Sequence, residues 1–267
     1  MRQAEDFRTE SKALLALLEA NGVNRLREKT QFKSWTINAV IQHLYFWNQM
    51  AGLQLTDEDE LSKRLSEVMS FKEGMRAYER KHLGDLSGAE LVQIWDEDVD
   101  RTADLFAAAN PKDRLKWAGP EMSARSSITA RLMETWAHGQ AVYDHFGVER
   151  DNTDRIENIV ILGVNTFGWT YKARNETPPG PMPYLELISP SGEVWLFGER
   201  SHNERITGSA EAFCQVVTQT RNISDTDLKL EGPIAKDWMS KAQCFAGPPE
   251  QPPEPGARYR IITTPVP

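Results

Sequence analysis

METWAHGQAVYDHF, residues 133–146, sets Glu134 and His138 four apart in a segment with helical periodicity. Four residues turn a helix through about 400°, so both side chains leave one face, roughly 6 Å apart along the axis. Upstream, SWTINAVIQHLYFWN (34–48) carries His43 on a second helical segment. Two imidazoles and a carboxylate are ligands for a divalent ion, and three protein ligands leave a position open, as in a catalytic rather than a structural site. The alternative for the same residues is a core histidine beside a surface i,i+4 pair. The apolar neighbours Val40, Ile41, Leu44 and Trp47, with Leu132, Met133 and Trp136 around the second pair, favour burial, and buried polar groups need partners.

Working outward, the first half reads as amphipathic helices. One covers about 3–20 and stops at Asn21-Gly22. A second begins near Trp35 with Thr36 as N-cap and runs to about Leu53. A charged helix over Asp57 to about Lys81 turns Leu61, Leu65, Val68, Met69 and Tyr78 inward, its charges forming a solvated face. GDLSGAELVQIWDEDVDRTADLFAAAN (84–110) is the next helix, and Ser126 or Ser127 opens the one with Glu134 and His138, which ends at Gly147. Long helices with short joins indicate an antiparallel four-helix bundle, a fold that builds metal sites from facing helices.

The second half changes character. RIENIVILGVNTFGWTYKARN (155–175) is helical, and TPPGPMP (177–183) breaks the chain. PYLELIS and EVWLFGE alternate apolar and polar residues around Pro190-Ser191-Gly192, the pattern of a β-hairpin. Helices follow over about 209–220 and within IAKDWMSKAQCF (234–245). The proline-rich end, 247–267, reads as an extended strap closing on a short strand-like piece. The expected organisation is a helical metal-binding bundle (1–150), a connecting helix and proline-rich linker (151–183), a small α+β domain (184–246) and the tail (247–267).

Composition narrows the function. The chain has 267 residues and a formal charge of −8, with no basic surplus to displace phosphate counterions, so nucleic acid is not an expected partner. No run approaches the ~18–20 apolar residues of a membrane span. MRQAEDFRTESK has acidic residues where a secretory signal needs apolar ones, and the two cysteines, Cys214 and Cys244, lack CxxC spacing; both point to the cytoplasm. Cys214 reads as a core residue. His145 lies roughly 10.5 Å along the helix from His138, too far to share an ion. His82 and His202 read as exposed, and HExxH is absent.

The two histidine segments together resemble the metal-binding helical domain of mycothiol-dependent maleylpyruvate isomerases, in the DinB-like superfamily. The segments ITGSAEAFCQVVTQTRN and DTDLKLEGPIAKDWMSKAQCFAG resemble the small sterol-carrier-like α+β domain that follows that bundle. The resemblance implies a mainly α DinB-like four-helix bundle, then a small α+β domain, with His43, Glu134 and His138 holding a divalent ion, most often zinc. It also implies a low-molecular-weight thiol as cofactor and a small electrophilic substrate, hence a thiol-dependent isomerase or S-transferase. Catalytic and substrate-binding groups other than the metal are not assigned. The competing reading is a carrier protein, its cavity lined by Trp136, Trp169, Trp195 and Trp238, which otherwise read as core. A homodimer is compatible with either. An acidic substrate would call for a cation near the metal; Arg205 and Arg221 are candidates, although each reads first as a surface arginine.

Overall fold

The computed structural model describes residues 1–262; the last part of the strand-like piece, 263–267, lies outside the described residues. The chain divides into two compact units, the first ending at Val142 and the second beginning at Tyr143.

Four long helices make the first unit's bundle: α1 (Arg2–Asn21), α2 (Ile37–Thr56), α5 (Gly88–Ala108) and α6 (Ala124–Phe146), whose last turn belongs to the second unit. Thr36 caps α2, its hydroxyl accepting from the Ala39 amide at 3.1 Å. Phe7, Ile41, Trp95, Phe106 and Trp136 are fully buried between the helices. Two shorter helices, α3 (Glu58–Ser70) and α4 (Met75–Leu83), cover the opposite side of α2. There Phe46, Trp47 and Met50 meet Leu61, Val68 and Tyr78 in a second apolar cluster. Met69, expected inward, is 75% exposed, because Leu61, Leu65 and Val68 already form the covered stripe of α3 and Met69 falls beside it. Because α2 is covered on both sides it is apolar nearly all round, as a buried helix must be.

Two boundaries differ from the sequence reading. The single charged helix is two, broken where Phe71 turns extended (ψ 117°) and Gly74 takes φ 84°, a left-handed value that favours glycine. The α6 helix starts at Ala124, ahead of Ser126, because the Ser123 hydroxyl accepts from the Ser126 amide at 3.1 Å and caps the first turn. A two-stranded ribbon, β1 (Arg114–Leu115) with β2 (Met122–Ser123), leads into it.

In the second unit, α7 (Glu157–Asn165) and α8 (Phe167–Lys172) replace the single helix expected over 155–175. The Thr166 hydroxyl donates to the Leu162 carbonyl at 2.7 Å, a local bond that competes with helix continuation. The hairpin is present as β3 (Tyr184–Ile188) and β4 (Val194–Phe197). Two strands not anticipated complete a sheet of order β4-β3-β5-β6: β5 (Arg205–Ser209) pairs parallel with β3, and β6 (Lys229–Glu231) antiparallel with β5. Leu185, Leu187 and Ile206 point from the sheet into this unit's core, while α9 (Ala210–Val217) and α10 (Pro233–Met239) contribute Phe213 and Trp238 to it. The described part of the proline-rich end has no helix or strand and is tied down as a strap: Asn222 donates to the Pro253 carbonyl at 2.8 Å, and the Ile261 amide to the Asp144 carbonyl at 2.9 Å.

Both cysteines are buried. Burial pushes the Cys214 thiol well above its usual range. Among the described residues no helix is long and apolar enough to cross a membrane. The architecture is a mainly α helical bundle followed by a small α+β domain.

Gly163 is where α7 lies closest to α9. A Cβ there would stand 2.8 Å from Phe213 Cε1 and 3.1 Å from Val217 Cγ2. Gly163→Ala should therefore lower the unfolding free energy by about 1–3 kcal/mol through overpacking; a urea midpoint equal to that of the parent chain would count against this packing.

Candidate metal centre

Helices α2 and α6 bring the three sequence candidates together. His138 Nε2 lies 3.1 Å from Glu134 Oε2, and His43 Nε2 lies 3.8 Å from the same oxygen. One ligand atom from each residue falls within 4.8 Å of the others. Two ligands on a tetrahedral zinc stand about 3.3 Å apart, from bond lengths near 2.0–2.1 Å. Small side-chain adjustments would bring these atoms to that spacing, so two imidazole nitrogens and one carboxylate oxygen could together hold a divalent ion.

Polar contacts between helices hold the register that makes this convergence. Arg131, one turn before Glu134 and 3% exposed, donates to Asn48 Oδ1 at 3.0 Å and to the Leu44 carbonyl at 3.3 Å. Further along, the Ser127 hydroxyl donates to Gln54 Oε1. Burial pushes the Arg131 guanidinium down to about 10, still protonated at neutral pH. It is the buried cation nearest in sequence to the ligand pair.

The loop before α2 builds an aromatic wall. Trp35 stacks on His138 with planes 5° apart and centroids at 5.6 Å, and it meets His43 edge-on at 5.3 Å. Phe32 packs edge-on against His138 at 5.0 Å. The turn between them puts Lys33 and Ser34 at φ 49° and 56°, left-handed values that non-glycine residues adopt at a cost.

Glu79 was hidden in the charged run read as a solvated face. It is in fact 0% exposed on α4. Its Oε1 lies 2.8 Å from His43 Nδ1 and accepts from Trp47 Nε1 at 2.9 Å, and its Oε2 accepts from Arg76. Arg76 in turn lies over the Trp35 ring at 4.3 Å. The one available signal was the Arg76–Glu79 i,i+3 spacing, which the neighbouring charges share.

The other candidates fall elsewhere. His82 and His202 are exposed, and His145 is outside the ligand group. Arg221 is not a surface arginine: it makes two bonds of 2.6 and 2.7 Å to the buried Asp144 carboxylate. Arg205 pairs with Glu231 at 3.2 Å. Trp136 and Trp238 are buried core, Trp169 donates to the Phe245 carbonyl at 3.0 Å, and Trp195 stands half-buried on β4. The four tryptophans sit on four separate elements, α6, α8, β4 and α10.

Burial lowers both imidazoles, with His138 reaching about 4 and His43 moving the same way. Burial opposes ionisation of Glu134, but its contacts with His138 and His43 outweigh that and hold the carboxyl well below its usual range. At neutral pH the site thus presents two unprotonated nitrogens and an ionised oxygen, the states that bind a cation. The sign of the linkage follows. A base whose folded value is depressed contributes stability above its unfolded value near 6.5, and that stability is lost as pH falls toward 4. Metal-free protein should show a thermal midpoint that falls between pH 7 and 4, with a shallower fall in His138→Gln. Equal slopes for the two chains would refute the burial of this imidazole.

Comparison with known proteins agrees with this architecture. The family model for the mycothiol maleylpyruvate isomerase N-terminal domain matches residues 7–143. Two Mycobacterium tuberculosis proteins, from strains CDC 1551 / Oshkosh and ATCC 25618 / H37Rv and both described as uncharacterized, are each 38% identical over 244 residues. The match covers 91% of this chain and 95% of each of them. Among solved structures, the crystal structure of the mycothiol-dependent maleylpyruvate isomerase aligns with a TM-score of 0.54 at 15% identity, covering 87% of this chain and 94% of that one. A histidine-to-alanine mutant of that enzyme aligns at 0.55 and 16%, with the same coverage. The fold is shared at that identity, and on the family match and the 38% identity the chain belongs to the family of the mycothiol maleylpyruvate isomerase N-terminal domain.

Proposed function

We propose that this chain is a divalent-metal enzyme that uses a small thiol to isomerise, or to transfer sulfur to, a small electrophilic substrate. The observation that carries the reading is the convergence of His43, Glu134 and His138 in one family bundle, with a donor set that leaves one position free. His43 and His138 would supply neutral nitrogens to the ion, and Glu134 would supply its one negative charge. Zinc suits this mixture of nitrogen and oxygen best. Bound there, the ion would supply Lewis acidity, drawing the proton from a thiol near neutral pH.

The chain's own groups have definite parts. Trp35 and Phe32 wall one side of His138 and limit the water that reaches it. The protonated Arg131 bridges the two ligand helices, and its charge favours the ionised form of Glu134. Addition of a thiolate to an activated double bond leaves a single bond free to rotate, and expulsion of the same thiolate returns the isomer with the thiol unspent. Retention of the sulfur on the substrate would instead be S-transfer. Mycothiol, the thiol named for the solved relative, is the first to test.

Chelator-free protein should carry about one divalent ion per chain, measured by elemental analysis. Less than half an equivalent, with added zinc binding no better than micromolar, would refute the site. With metal and a small thiol present, electrophilic alkenes should be turned over many times; stoichiometric retention without turnover would mark a carrier instead.

His138→Ala should lose the ion and all thiol-dependent turnover while the far-ultraviolet circular dichroism stays helical, since the apolar faces supply the bundle's stability. His145→Ala should keep the ion. The reverse pattern would show that the ligand set is wrong.

A further inference from the structure

His43 is 6% exposed, and its two nitrogens face different helices. Nε2 points toward Glu134 on α6, and Nδ1 lies 2.8 Å from Glu79 Oε1 on α4. The direction of that second bond can be deduced. Trp47 Nε1 and the Arg76 guanidinium can only donate, and both donate to the Glu79 carboxyl. Glu79 is therefore occupied as an acceptor by donors on both oxygens, and its contact with His43 is of the same kind: Nδ1 carries the proton. That tautomer leaves the Nε2 lone pair facing the ligand group.

We infer that Glu79 is the positioning residue of the centre, fixing the tautomer and ring orientation of His43 so that Nε2 is presented to a divalent ion. Arg76 and Trp47 hold the Glu79 carboxylate in turn, and Arg76 joins it to Trp35, the ring that stacks on His138. One buried carboxylate on a helix that supplies no ligand thus connects to both histidines. A carboxylate behind a metal-bound imidazole raises its basicity, and loss of such a partner lowers metal affinity by about 10–100-fold. The inference rests on the metal reading above, and the experiment separates the two.

Zinc affinity is measured by chelator competition on the full chain and on Glu79→Gln, which keeps the shape and removes the charge. The visible spectrum of the cobalt-loaded protein is recorded for each. Parent chain that binds tightly, with a folded Glu79→Gln that binds about 10–100-fold more weakly and gives a changed cobalt spectrum, supports the positioning role. Equal affinity and an identical spectrum overturn it and leave the metal site standing. A parent chain that binds no zinc overturns the metal reading, and this inference with it. Should Glu79→Gln fail to fold, nitrogen-15 resonances of His43 in zinc-loaded parent chain decide. A proton on Nδ1 with zinc on Nε2 supports the role; zinc on Nδ1 overturns it.

Discussion

A buried imidazole has two nitrogens to satisfy, one on each side of its ring, and around His43 that requirement organises the first unit. The ring is buried within the first unit, away from bulk water. One nitrogen is answered by α4 and the other faces α6. The covering pair α3 and α4 therefore does more than close an apolar surface: it brings the carboxylate that fixes the proton on His43. Leaving a buried polar group unanswered costs about 1–3 kcal/mol. The same requirement ties the electrostatics of the centre to the packing of a helix that contributes no ligand.

The parts legible in the sequence were those written in local periodicity. The i,i+4 spacing of Glu134 and His138 needs no tertiary information to share a face, and the apolar surroundings of His43 announced a buried helix. Thr36 as cap and the alternation over 184–197 were equally local. What could not be read depends on partners distant in the chain. Glu79 differs from Glu67 and Glu73 only in what α2 places above it. The parallel pairing of β3 with β5 spans a hairpin and a loop, and within RITGS the alternation was too short to separate from the helix that follows. Breaks at Phe71–Gly74 and Thr166 interrupt amphipathic patterns that continue on both sides, so periodicity alone joins what the backbone separates.

Charge is handled differently in the two units. In the first, Arg131 is buried against neutral oxygens of Asn48 and Leu44, with the carboxylates of Glu134 and Asp98 acting on it at longer range. In the second, Arg221 and Asp144 meet in a two-bond pair that satisfies both groups locally. A closed pair of that kind has little attraction left for a ligand, whereas a buried cation without a direct carboxylate partner still projects its field. Within the first unit, that field reaches His43 from Arg131 on α6 and Arg76 on α4.

The burial of both cysteines has a consequence for redox chemistry. Mixed disulfides form by attack of an exposed thiolate, and Cys214 is fully buried with its ionisation suppressed, while Cys244 is 5% exposed. An enzyme working in a pool of small thiols meets their disulfides whenever that pool is oxidised. Burial keeps this chain's own sulfur out of that exchange. If the chain works with a small thiol as proposed, oxidation of the pool would remove its co-reactant without tethering adducts to the protein, and re-reduction of the pool alone would restore activity.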